Sequence, residues 1–237
     1  MRLAAVQYRP PKGEPEKARS ELVERVREAG EVDLVVCPEM ATSGYVWRSP
    51  QELLPHAEAA DGPTFQALSE RAREQGCWIV CGFPELAPEG LYNSALVIDD
   101  KGQLACCYRK VLLYEADLAW ARMGRARPVL QTPFGRLVPG ICMDLNDDNF
   151  ALHLHRSKPD VVAFCTNWID QGHDILPYWR WRMFGWRGWF VAADCWGEDS
   201  GTSFYGRSAI LAPGGEPAQM APARGDCVLV HDTEVAV

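Results

Sequence analysis

The sequence predicts an α/β fold in which two mixed β-sheets pack together and helices cover their outer faces. Three observations lead there. Strand-like and helix-like patterns alternate early in the chain, as in βαβ units. Hairpin signals then appear, so the sheets cannot be wholly parallel. The strand-like runs are also too many for one small sheet. At 237 residues, with 47% hydrophobic and 24% charged residues, residues 1–237 are expected to form a single domain with ample core.

Taken in order, residues 3–8 are apolar and alternating, a first strand. Residues 14–29 carry Ala18, Leu22, Val26 and Ala29 at helical spacing with Glu and Arg opposite. Residues 32–37 are almost continuously apolar, as expected of a strand covered on both sides. A helix over 65–75 is entered through Gly62-Pro63-Thr64 and closed by Gly76. Residues 77–83 read as a strand, and 91–98 with 103–108 as a hairpin about Asp99-Asp100-Lys101-Gly102. Residues 129–132 and 136–142 flank a second turn, Pro133-Phe134-Gly135. A helix is predicted at 148–157, a strand at 161–166 and a helix at 174–187. Strands at 189–194, 203–211 and 227–230 complete the chain. There is no internal repeat and no low-complexity linker.

Composition excludes several classes of function. The net charge is −8 and no basic run stands out, which argues against nucleic acid or anionic lipid as partner. No stretch is apolar enough for a membrane span, and the N-terminal apolar run is too short for a signal peptide. A cytoplasmic protein is therefore expected. The nine cysteines cannot all pair, and without a secretory signal they are expected to be reduced. Neither phosphate-cradling glycine motif is present, so nucleotide-dependent chemistry has no support.

Three apolar runs end on reactive groups. Val35-Val36-Cys37-Pro38 leads to Glu39, Cys106-Cys107-Tyr108-Arg109 leads to Lys110, and Arg136-Leu137-Val138 leads into Gly140-Ile141-Cys142-Met143-Asp144-Leu145-Asn146. Ligands bind beyond the carboxyl ends of strands in α/β sheets, so a carboxylate, an amine and a thiol would meet at one cleft. A thiol at neutral pH is mostly protonated and needs a base, for which Glu39 is the candidate. Attack on an amide carbon creates an oxyanion, for which Lys110 and the backbone N–H of Met143 are candidate donors. The product would be a thioester that water then hydrolyses. Each residue alone has an ordinary structural reading: a buried cysteine is far more often packing than nucleophile. Their joint placement favours chemistry.

The chain resembles the nitrilase superfamily of carbon–nitrogen hydrolases nearly from end to end. The resemblance rests on the opening strand with Gln7, on Cys37-Pro38-Glu39-Met40-Ala41-Thr42-Ser43-Gly44-Tyr45, on Tyr108-Arg109-Lys110 and on Gly140 to Asp144. Thr166-Asn167-Trp168 and Phe204-Tyr205-Gly206-Arg207-Ser208 complete it. It maps the family's general base onto Glu39, its lysine onto Lys110 and its nucleophile onto Cys142. It implies a four-layer α-β-β-α sandwich, no cofactor, and dimerisation through the outer helices. The segment from Tyr108 to Glu115 is most similar to the protein N-terminal asparagine amidohydrolases, which convert a side-chain amide to acid and ammonia. Two departures stand out: Asp147-Asp148 follows the nucleophile motif, and Arg182-Met183-Phe184-Gly185-Trp186 replaces an Arg-Ala-x-Glu-Asn segment. Many relatives also carry a second glutamate after the lysine. Glu115 is the candidate accessory acid here, with Asp117 as its rival, because spacing does not choose between them.

The reading is thus a cysteine-dependent hydrolase of a small linear carboxamide. N-carbamoyl acids and nitriles are the alternative substrates, and a catalytically silent binding scaffold is the alternative outside enzymology. Tyr45, Asn167 and Trp168 are read as lining the cleft, in substrate contact or in pocket packing. His153-Leu154-His155 has no cysteine pair at metal-site spacing, so no metal is expected. The aromatic stretch 178–189 reads as a helix with its rings in the core or at a contact between two copies.

Overall fold

The central strands are buried on both faces, and successive residues feed two different cores, one between the sheets and one beneath the helices. The computed structural model describes residues 1–234; residues 235–237 of the expected domain lie outside the described residues. The strands and helices run β1 (Arg2–Gln7), α1 (Pro15–Glu28), β2 (Leu34–Val36), the single-turn α2 (Pro50–Leu53), α3 (Pro63–Gln75), β3 (Trp78–Ala87), β4 (Gly90–Ile98) and β5 (Leu104–Arg109). Then follow β6 (Leu130–Thr132), β7 (Gly135–Ile141), α4 (Asp148–Ser157), β8 (Val161–Thr166), α5 (Leu176–Arg182) and β9 (Trp189–Asp194). The chain closes with β10 (Trp196–Asp199), β11 (Thr202–Tyr205), β12 (Ala209–Leu211), β13 (Pro217–Met220) and β14 (Cys227–Asp232).

One six-stranded sheet has the order β14-β1-β2-β3-β4-β5 and the other β13-β12-β9-β8-β7-β6. Both mix parallel and antiparallel pairs: β1, β2 and β3 run parallel, as do β7, β8 and β9, and antiparallel partners flank them. Successive residues point to opposite faces. Leu34 and Val36 of β2 therefore join Val161, Ala163 and Cys165 of β8 in the core between the sheets. Val35 packs outward against Leu22 and Val26 of α1 and Leu68 and Ala72 of α3. On the far side, Val162 and Phe164 of β8 pack against Phe150 and Leu154 of α4 and Trp179 of α5. The layers are helix, sheet, sheet, helix, as the sequence reading expected. Among the described residues, no helix is long and apolar enough to cross a membrane.

Three expectations need correction. The helix predicted over 174–187 spans only Leu176–Arg182, because the chain turns away and Gly185 takes φ +84°. The strand predicted over 203–211 is two strands. Gly206 (φ +64°) and Arg207 (φ +49°) break it, so that β11 pairs with β10 as a separate ribbon while β12 joins the second sheet. Strand β3 continues past residue 83 to Ala87 and forms a long hairpin with β4. In the aromatic stretch, Trp179 and Trp186 are buried in this chain's own core, whereas Trp181 and Phe184 are exposed.

Candidate active site

The parallel strands of each sheet end beside one another, and the loops leaving them build one site. After β2, the turn at Pro38–Met40 is pinned to β3: Cys37 N donates to Val80 O, Gly82 N to Pro38 O, and Ala41 N to Gly82 O. That approach is possible only because residue 82 is glycine, since a Cβ there would lie 2.5 Å from the Glu39 Cα. Met40 takes φ +49°, an unfavourable conformation for a side-chain-bearing residue, and the turn aims Glu39 inward.

Lys110 follows β5 and is fully buried with Glu39 and Asp117. Its Nζ donates to Glu39 Oε1 at 2.7 Å and to Asp117 Oδ2 at 2.6 Å. Asn93, in the middle of β4, spans the two carboxylates, its Nδ2 donating to Glu39 Oε1 at 2.7 Å and to Asp117 Oδ1 at 3.2 Å. Glu39 Oε2 accepts the backbone N–H of Asn167 at 2.9 Å, and Asn167 Nδ2 returns to Glu39 O at 2.9 Å. These two bonds tie the first sheet to the second.

Cys142 begins a short 3-10 turn directly after β7, with φ +40°. Its thiol lies beside the Thr166 hydroxyl and the same Asn167 N–H that binds Glu39. Asp144 holds this turn against the lysine loop. Its Oδ2 accepts Tyr108 OH at 2.6 Å and Ile141 N at 3.0 Å, and its Oδ1 accepts Val111 N and Leu112 N, each at 3.0 Å. One buried carboxylate thereby fixes the loop after Lys110 and the turn bearing Cys142. Helix α5 braces the turn from outside through Arg182 Nε to Leu145 O at 2.6 Å and through a bond from Tyr178 OH to Asn146 Oδ1.

Electrostatics define the resting state. Burial raises the Glu39 carboxyl above its ordinary value, although the Lys110 charge pulls the other way. Burial alone would lower Lys110, but the carboxylates of Asp117 and Glu39 outweigh it and hold the ammonium protonated. Burial, reinforced by the Glu39 charge, pushes the Cys142 thiol well above its ordinary value. The resting sulfur is therefore a neutral thiol beside a carboxylate rather than a stored thiolate.

Cys142 opens onto a cavity of about 160 Å³ lined by Tyr45, Tyr114, Met143, Asn146, Asn167, Trp168, Ile169 and Gln171. Trp168 is anchored by its N–H to Asp194 Oδ1 at 3.0 Å, and the Tyr45 hydroxyl is buried without a partner. The structure thus brings Glu39, Lys110 and Cys142 to one place, with Tyr45, Met143, Asn167 and Trp168 around the thiol. Glu115 is elsewhere: it is exposed and lines an adjoining outer cavity. Asn93, Tyr114, Asn146 and the clamping role of Asp144 were not foreseen. An asparagine inside an otherwise apolar strand was the one available signal for Asn93. Among the described residues there is no cluster of three metal-ligating side chains.

Comparison with known proteins identifies the family. The carbon–nitrogen hydrolase family model matches residues 2–236. The chain belongs to the carbon–nitrogen hydrolase family. It is 30% identical to a nitrilase of Pyrococcus abyssi, over 93% of this chain and 85% of that protein. It is 29% identical to a protein N-terminal amidase of Schizosaccharomyces pombe, over 76% and 78% respectively. In structure it superposes on an amidase from Nesterenkonia sp. AN1 with a TM-score of 0.87, at 22% identity and covering 98% and 92% of the two chains. That structure, of a Glu-to-Gln mutant, shows acrylamide added at the active-site cysteine. The membership makes this protein a hydrolase of carbon–nitrogen bonds.

Proposed function

We propose that the protein is a cysteine-dependent amidase that converts a small linear carboxamide to acid and ammonia through a thioester on Cys142. The observation that carries this reading is the fully buried Glu39–Lys110 pair beneath a thiol that opens onto a small, largely apolar cavity.

Glu39 takes the Cys142 proton as the sulfur attacks the amide carbon, because the thiol is too weakly acidic to ionise alone. Base assistance of this kind is worth about 100- to 10,000-fold. The C=O electron pair moves to oxygen. Two Lys110 N–H groups are already committed to Glu39 and Asp117, which leaves one for the oxyanion beside the backbone N–H of Met143. The C–N bond then breaks, the nitrogen leaves as ammonia with the proton held by Glu39, and the thioester remains. Water attacks the thioester, again passing a proton to Glu39, and the acid departs as the thiol is restored. Asp117, at 2.6 Å from Lys110 and completely buried, is the accessory carboxylate in this reading, and Glu115 is not. The relatives that act on protein N-terminal amides make an Asn or Gln side-chain amide one member of the substrate class.

The test is ammonia release from a panel of amides, a carbamoyl amino acid and a nitrile. Cys142→Ala should keep the fold and lose turnover, and an electrophile such as acrylamide should label Cys142 ahead of the other eight cysteines. Ammonia release at the native rate by Cys142→Ala would overturn the assignment. Labelling that spares Cys142 would instead favour a binding scaffold.

A further inference from the structure

The thiol-bearing cavity does not end at the thiol. A second cavity of about 270 Å³ adjoins it and shares Tyr45, Tyr114 and Ile169 as walls; Val46, Glu115, Ala116 and Thr202 complete it. A substrate whose amide reaches Cys142 extends into this outer space. Among the described residues Glu115 is the one side chain of ordinarily charged type lining the two cavities, and no lysine, arginine or histidine lines either. Glu115 is exposed, and among the described residues it takes part in no ion pair. Tyr45, Tyr114 and Trp168 line the thiol-bearing cavity, and aromatic ring faces favour a cation over an anion. Below the floor, one lysine faces two carboxyl groups, so no uncompensated positive charge lies there.

Another cavity, of about 500 Å³, lies past Tyr45 and Asn167 and does contain Arg9, Lys12 and Lys17, but it excludes Cys142. Its Lys12 is already held by Asp199 at 2.8 Å.

We infer that the outer cavity selects amides that carry a positively charged group, such as an ammonium, and that Glu115 is the residue that selects them. This rests on the amidase reading above and narrows it. Carboxylate-bearing substrates, carbamoyl amino acids among them, are disfavoured because nothing basic receives their charge. A rim carboxylate aided by aromatic faces gives about tenfold selectivity.

Three amides of matched length provide the test: 4-aminobutyramide, its uncharged isostere pentanamide, and the anionic monoamide of glutaric acid. At neutral pH, kcat/KM should rank cation, neutral, anion, with about tenfold between the first two, carried by KM rather than kcat. In Glu115→Gln the ratio of cationic to neutral amide should fall to near one. Calorimetric binding of the same amides to Cys142→Ala should show the same ranking, independently of turnover. Equal values for the three amides, a ratio that survives in Glu115→Gln, or an equal loss on all three would overturn the inference. If no amide releases ammonia while the binding ranking holds, the amidase reading fails and the subsite stands.

Discussion

The first sheet delivers Glu39, Asn93 and Lys110 to the cleft, and the second delivers Cys142, Asn167 and Trp168; the two sets are held in different ways. On the first sheet the groups are polar or charged, fully buried and bonded to one another, with Lys110 between Glu39 and Asp117 and Asn93 spanning the carboxylates. On the second sheet the groups face the cavity, and the nucleophile sits on a left-handed residue held by its neighbour Asp144 rather than by bonds of its own. A proton acceptor must keep one position while it gains and loses its proton, which a dry network ensures. A nucleophile must become covalently modified and then free again, so its own atom cannot be locked into a network.

Breaking the charged half at its centre gives the largest expected effect. Glu39→Gln keeps the shape but removes the proton acceptor, so kcat should fall by about 100- to 10,000-fold while circular dichroism stays native. The pH profile sharpens this. Glu39 acts only when ionised and its carboxyl is raised by burial, so the wild-type rate should fall as pH drops, with an acid limb above the usual carboxylate range. The base, the lysine and the thiol titrate as a linked set, so a flat rate from about pH 5 to 9 would refute the scheme.

Removing the cation tests stability as well as rate. Lys110→Met leaves two buried carboxyl groups facing each other without their ammonium, and breaking a buried pair in this way costs about 3–5 kcal/mol. The sign with pH follows directly. The deficit should shrink as pH falls and the carboxyl groups become neutral, and grow as pH rises. Chemical denaturation at several pH values would show it, and a pH-independent loss would mean that Lys110 contributes packing and not charge.

The two halves were also unequally legible in the sequence. Glu39, Lys110 and Cys142 each close an apolar run, and strand ends in an α/β fold converge, so their meeting place could be read from pattern alone. The layers were readable for the same reason: β8 and β9 are continuously apolar, as strands covered on both faces are, and α1 and α3 each carry an apolar stripe. Which carboxylate faces Lys110 could not be read, because Glu115 and Asp117 are two residues apart on an irregular loop where no period says which side points inward. Asp117 begins a 3-10 turn with its carboxylate taking the Tyr114 N–H at 3.0 Å, and only the folded loop shows it. The ribbon β10–β11 escaped for a related reason. Its break at Gly206 and Arg207 depends on backbone angles, and the short Gly206-Arg207-Ser208 interruption between two apolar runs does not by itself show that the chain changes sheets.

The smallest effect comes from the boundary between the halves, at Tyr45. Its ring lies with Lys110 Nζ 5.8 Å from the centroid, the residue lines the cavity, and its hydroxyl is buried without a partner among the described residues. An unsatisfied buried hydroxyl costs stability, so Tyr45→Phe should stabilise the fold by about 1 kcal/mol. The same change should lower kcat/KM by about three- to tenfold if the hydroxyl is held in reserve for the substrate, the worth of one neutral hydrogen bond. Stability gained together with activity lost would mark a group kept unsatisfied for binding. Unchanged kinetics with raised stability would show instead that Tyr45 serves the cavity only as a wall, and that recognition on this side of the thiol belongs to Asn167.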